Sequence, residues 1–249
     1  MSKAADLASL ASASETALSN RNIVINGAMQ ISQRATSVTG IGASAGYFTL
    51  DRFDMFFSGT AGRLTMSQDS NAPEGFGNSL KLDCTTADTS IAAGEVAMLQ
   101  YQVEGQDLQQ LKKGTSNAEK VTVSFYVKGN ANATYTLELQ DNDNSRHIAQ
   151  TFNVTTSWNR VSLTFAGDTT GAFGDDNACS LRVQIYLQAG STYTSGTFTS
   201  NTWSAITNAN TVKSDQTMFF DSTARTLSIT GLQMEVSPVA TPFEHLSFG

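Results

Sequence analysis

From residue 22 onward, apolar and polar positions alternate with a period of two. "VTVSFYV" sets Val121, Val123, Phe125 and Val127 on one face and Thr122, Ser124 and Tyr126 on the other. "LRVQIYL" does the same, with Leu181, Val183, Ile185 and Leu187 inward and Arg182, Gln184 and Tyr186 outward. "RVSLTF", "RLTMS", "LKLDC" and "YTLEL" follow the same rule. Side chains of an extended strand point to opposite faces in turn, so each stretch reads as a strand with one face in a core. Many short strands of this kind, separated by turn-forming loops, predict an all-β fold, an antiparallel jelly-roll sandwich.

Two stretches break the alternation. "GQDLQQLKKG" places Leu108 and Leu111 for one or two amphipathic helical turns. Residues 1–20 are rich in Ala and Ser and lack aromatics, and Leu7, Leu10 and Ala11 recur at helical spacing. They read as a short helix over Lys3–Ala13, too short to stand without something to pack on, or as a frayed tail. The chain therefore divides into an anchoring or oligomerising segment, 1–20, and one jelly-roll domain, 21–249.

The last strand changes phase. Leu227 and Ile229 share one face, whereas Leu232, Met234 and Val236 share the other, with Gly231 between them. An extra residue restores the inward face, so a bulge at Thr230–Gly231 is predicted. Pro238 and Pro242 cannot donate to a ladder and should end the pairing. Phe243 should then fold back over the sandwich, leaving Glu244 and His245 to bond backbone or a neighbouring subunit.

Composition narrows the partners. Charged residues make up 15% of the chain, against roughly 25% in an average soluble protein. Net charge is −7 and the longest basic run is Lys112-Lys113, which argues against nucleic acid. No stretch approaches the ~20 apolar residues of a membrane span. The N-terminus lacks the apolar block of a signal peptide, which predicts a cytoplasmic origin. Cys84 and Cys179 lie in no metal-binding spacing and read as buried free thiols rather than a disulfide.

Candidate chemistry is sparse. "DNDNS" (Asp141, Asp143, Ser145) begins like a calcium loop, but Arg146 and Phe152 stand where Gly and Glu are needed, so it reads as a hairpin turn. Asp168, Asp175 and Asp176 in "GDTTGAFGDD" read as solvated loop. His147 and His245 are the two histidines, and no nucleophile elbow accompanies them. No catalytic residue, metal site or cofactor follows, and the chain reads as a non-enzyme. Binding is better supported. Tyr126 and Tyr186 lie on the polar sides of their strands with Arg182 beside Tyr186, and an exposed ring can pack against the C–H face of a sugar. Trp203 and Tyr193 in the long loop could rim such a site, although Trp203 reads first as packing, as does Trp158.

"VTVSFYVKGNANATYTLELQ" and "TFNVTTSWNRVSLTF" resemble the central strands of carbohydrate-binding-module-like jelly rolls. "NRNIVINGAMQISQRATS", "YFTLDRF", "APEGFGNSLKLDCTTAD" and "ITGLQMEVSPVATPFEH", in that order, resemble phage virion proteins of the tail-fibre or structural kind. That resemblance implies a jelly roll on the particle exterior, oligomeric and by analogy trimeric. It would be held to other virion proteins through the N-terminal segment and used for attachment to a host-surface glycan. A capsid decoration or cement protein is the alternative. A carbohydrate-binding module of a glycan-degrading enzyme is the second.

Overall fold

The structure, a computed structural model, describes residues 21–245 together with Lys3. The segment carrying Leu7 and Leu10 lies outside the described residues. Twelve strands form two antiparallel sheets of six. The first, sheet A, contains β1 (Ser37–Ile41), β3 (Arg63–Asp69), β4 (Ser79–Thr86), β12 (Thr226–Val236), β6 (Val121–Gly129) and β9 (Asn159–Phe165), in that spatial order. The second, sheet B, runs β11 (Ser204–Ala205), β8 (Arg146–Val154), β7 (Ala133–Asp141), β10 (Cys179–Ala189), β5 (Val96–Glu104) and β2 (Phe53–Ser58). The fold is the expected jelly-roll sandwich.

The alternation explains the core. Val121, Val123, Phe125 and Val127 of sheet A meet Leu181, Val183, Ile185 and Leu187 of sheet B in one continuous buried cluster. Burying such side chains contributes about 1.5–3 kcal/mol each and drives the two sheets together. Gly105–Leu111 forms a 3-10 helix rather than an α-helix, with Leu108 and Leu111 buried as their spacing predicts. Cys84 and Cys179 are free; Cys84 is buried in sheet A, whereas Cys179 on sheet B is only half-buried.

The bulge forms. Pairing of β12 with β6 slips between Thr230 and Gln233, and Gly231 takes a φ of 63°. Leu227, Ile229, Leu232 and Met234 all point inward as a result. The slip leaves backbone groups unpaired, and residues 22–27 satisfy them. Leu232 N–H donates to Gly27 O at 3.0 Å, and Met234 N–H donates to Asn22 Oδ1 at 3.1 Å.

After β12 ends at Val236, residues 237–245 cross the outer face of sheet A. Thr122 Oγ1 donates to Ser237 O (2.7 Å), Thr241 N–H to Glu235 Oε1 (2.9 Å) and Glu244 N–H to Gln233 Oε1 (2.8 Å). Glu244 Oε2 in turn accepts from Asn22 N–H at 2.9 Å, so both described ends meet on sheet A. Half-buried Phe243 packs edge-on against Phe76, 5.0 Å between centroids, and against His245 at 4.8 Å.

Candidate functional site

The outer face of sheet B is polar because the phase opposite the core carries amides and charges. Register across β2, β5, β10 and β7 aligns Asp54, Gln100, Gln184 and Glu138 in one row. The next row aligns Gln102, Arg182, Gln140 and His147. An isolated bridge between Gly46 and Met55 adds a short edge beyond β2, which puts Tyr47 beside Asp54 on this face.

The rows are tied to one another. Gln100 Nε2 donates to Gln184 Oε1 at 2.6 Å, and Gln184 Nε2 donates to Gln140 Oε1 at 2.5 Å. Gln102 Nε2 donates to Asp54 Oδ1 at 3.4 Å. The Glu138 carboxylate is buried and used on both oxygens. Oε1 lies 2.8 Å from His147 Nδ1, and Oε2 accepts from Tyr186 OH (2.9 Å) and Gln184 Nε2 (3.2 Å). Burial and this neighbouring carboxylate push the Tyr186 hydroxyl well above its ordinary pKa. Burial likewise raises the Asp54 carboxyl, opposed by Gln102 and Arg182. Such a network holds its side chains in one geometry, since every broken link would strand a polar group.

Half of the face is closed and half is open. Residues 190–218 pack Val212 and Tyr193 onto Val96, Met98, Tyr186 and Ala189, making a small second core. Gln216 pins this loop, accepting from Thr136 N–H (2.8 Å) and donating to Tyr186 O (2.9 Å). Toward β2 the face is open. Tyr47 is 40% exposed and Phe56 is 37% exposed, two of the four large hydrophobic side chains so exposed among the described residues.

The three residues singled out in sequence do not form one site. Tyr126 lies on sheet A, half-buried, with its ring 5.4 Å from Phe76 and the Arg160 guanidinium 6.0 Å away. Tyr186 sits on the outer side of sheet B as its phase requires, but it is 4% exposed under the loop and offers no ring to a ligand. The alternation assigns a face; it is silent on what a distant loop lays over that face. Arg182 alone lies in the open half. Trp203 is packing: it lies against the core and donates from Nε1 to Ala166 O at 2.7 Å. Trp158 enters β9 and donates to Asn71 Oδ1.

Sequence reasoning passed over Tyr47, which sits in an irregular stretch, and a buried ionic cluster. Lys113 Nζ lies 2.6 Å from Asp141 Oδ2 and 3.2 Å from Asp168 Oδ2, and donates to Thr170 O and Gly171 O at 2.8 Å each. Arg146 grips Asp168 bidentately, at 2.6 and 3.1 Å. Burial pushes the Asp168 carboxyl up, but Arg146, Thr170 N–H and Lys113 outweigh it and hold the group below its ordinary pKa. The read of Asp168 as solvated loop is corrected: the "GDTTG" turn folds around a buried ammonium, and so does Asp141.

No group of three or more His, Cys, Asp or Glu is placed to hold a metal among the described residues, and no helix there is long and apolar enough to cross a membrane. No protein-family model and no curated protein matches the chain. Solved structures do. The bacteriophage CBA120 tailspike protein 4 enzymatically active domain matches with a TM-score of 0.44 and 12% identity, over 87% of this chain and 22% of that one. A CBM4 structure matches with a TM-score of 0.42 and 12% identity, over 86% and 99% of the two chains. The family 11 carbohydrate-binding module from Clostridium thermocellum, in complex with a β-1,3-1,4-mixed-linked tetrasaccharide, gives 0.39 and 9%, over 84% and 98%. At these identities no ligand transfers from those proteins to this one.

Proposed function

We propose that this protein is a non-catalytic domain that binds carbohydrate on the open half of the outer face of sheet B. The observation that carries this reading is the exposed Tyr47 ring beside half-buried Gln102, Gln140 and Arg182, with Gln140 held by the buried amides Gln184 and Gln100 behind it. A sugar needs both parts: an apolar surface for its C–H face and fixed donors and acceptors for its hydroxyls. Binding at one such shallow site is weak, and several copies on one particle would strengthen it. Both described ends of the chain meet on sheet A, the sheet opposite this face.

The resemblance of the sequence to virion proteins supports display on a phage particle, with tail attachment or capsid decoration as the two settings. The test is a glycan array probed with the protein and with Tyr47→Ala and Gln102→Ala. Binding by the wild type that drops at least tenfold in both variants is the expected result. Failure of the wild type on every sugar would overturn the proposal. Immunogold labelling of particles decides between tail and head, and absence of label from both removes the virion setting.

A further inference from the structure

Arg182 stands in the middle of the open face with its charge unspent. By contrast, Arg146 holds Asp168 and Arg225 holds Asp221, each through two hydrogen bonds. Arg182 has no carboxylate within 4.0 Å among the described residues. Its Nε is buried without a hydrogen-bond partner, while the side chain as a whole remains half-exposed. Asp54 reaches it only through space, and the Cys179 thiol is its side-chain hydrogen-bond neighbour. Leaving a partly buried charge without a carboxylate costs free energy, and an anion that pairs with the guanidinium fork would recover it.

A second observation points the same way. Tyr47 carries Arg34 over its ring at 5.3 Å, and Arg52 acts on its hydroxyl. Arg52 is held at a φ of 75°, a left-handed conformation that non-glycine residues rarely adopt, at the turn entering β2. In a chain of net charge −7, Arg52 and Arg182 share this side of the sheet with Tyr47, while Arg34 over the ring pairs with Asp51 at 3.5 Å.

We infer that the ligand carries an anionic group, a uronate carboxylate or a sulfate ester, which pairs with the Arg182 fork while a sugar ring lies on Tyr47. This rests on the carbohydrate reading above and narrows it to acidic glycans. Planar guanidinium matches either group bidentately. Of the carboxylates on this face, Glu138 has both oxygens engaged, and Asp54 accepts from Gln102 Nε2 at 3.4 Å.

The test uses matched pairs by calorimetry: oligogalacturonate against its methyl ester, and sulfated against desulfated galactan oligosaccharide. One acidic member is expected to bind at least tenfold tighter than its neutral twin, with affinity falling as salt rises; which pair responds identifies the anion. Arg182→Gln is expected to reduce acidic binding to the neutral level. Should that variant melt early, Arg182→Lys, which keeps charge without the fork, is expected to lose part of the preference. Equal binding of both members, unchanged in Arg182→Gln but lost in Tyr47→Ala, would overturn the acidic inference and leave the carbohydrate reading standing. Binding to none of the four would overturn both.

Discussion

A single charged side chain shows how residue-scale physics outruns pattern. Lys113 looks in sequence like half of a surface basic pair, yet its ammonium is buried among two carboxylates and two carbonyls, with the Phe173 and Trp203 rings at 5.1 and 5.5 Å. The four oxygens come from two segments distant from Lys113 in sequence, the end of β7 and the loop after β9, so no local window contains the signal. Removing one partner of a buried pair strands the other, at about 3–5 kcal/mol. Lys113→Met is therefore predicted to lower unfolding free energy by about that amount in urea denaturation; a loss below about 1 kcal/mol would show the cluster to be solvated. Tyr186 makes a smaller version of the point. Tyr186→Phe removes one donor from buried Glu138, with an expected cost of about 1–3 kcal/mol.

At the scale of the element, β12 was the most legible part of the chain. Its phase change required an extra residue, and glycine marked the spot because only glycine takes a φ of 63° without strain. What the pattern did not contain is the second reason for that glycine. A Cβ at Gly231 would stand 2.7 Å from the Phe76 ring and 3.2 Å from Tyr126. The bulge therefore seats the aromatic cluster that the closing strap of Phe243 and His245 completes. Gly231→Ala is predicted to cost about 1–3 kcal/mol from the left-handed backbone and the clash together, read as a lowered melting temperature. An unchanged melting temperature would mean that the bulge relaxes. The long loop gave the opposite lesson: its turn-forming composition showed irregular structure, but its docking through Val212 and Gln216 is a tertiary fact that closed half of sheet B and removed Tyr186 from the site.

For the whole molecule, ionisation sets the limits of stability. Burial raises Tyr101 to about 12, Cys84 to about 11, and Tyr135 and Tyr186 higher than their ordinary values as well. Each group stays neutral in the folded state while its unfolded counterpart ionises, from the ordinary 9.0 for Cys84 and 10.0 for the tyrosines. Their contribution is complete below those values and lost as pH rises. A steep loss of stability above pH 10 is predicted, monitored by far-ultraviolet circular dichroism, with tyrosinate absorbance rising together with unfolding; tyrosines ionising in a still-folded protein would contradict it. At acid pH the sign reverses for Asp88 and Asp168. Burial opposes ionisation of each, but their hydrogen bonds hold both below the ordinary 3.8, so that stability falls as they protonate under that value. Fold class, the polar phase of sheet B and the closing strand were readable because each follows from local alternation. The open corner was not, since Tyr47, Arg52 and Arg182 come together only through register across β2, β5 and β10. That corner is the centre of the account, and amide chemical shifts during titration with the tightest-binding glycan test it most directly. Shifts gathered at Tyr47, Asp54, Gln100, Gln102, Gln140 and Arg182 are predicted; shifts centred on Tyr126 and Phe243 of the opposite sheet, or none at saturating sugar, would contradict it.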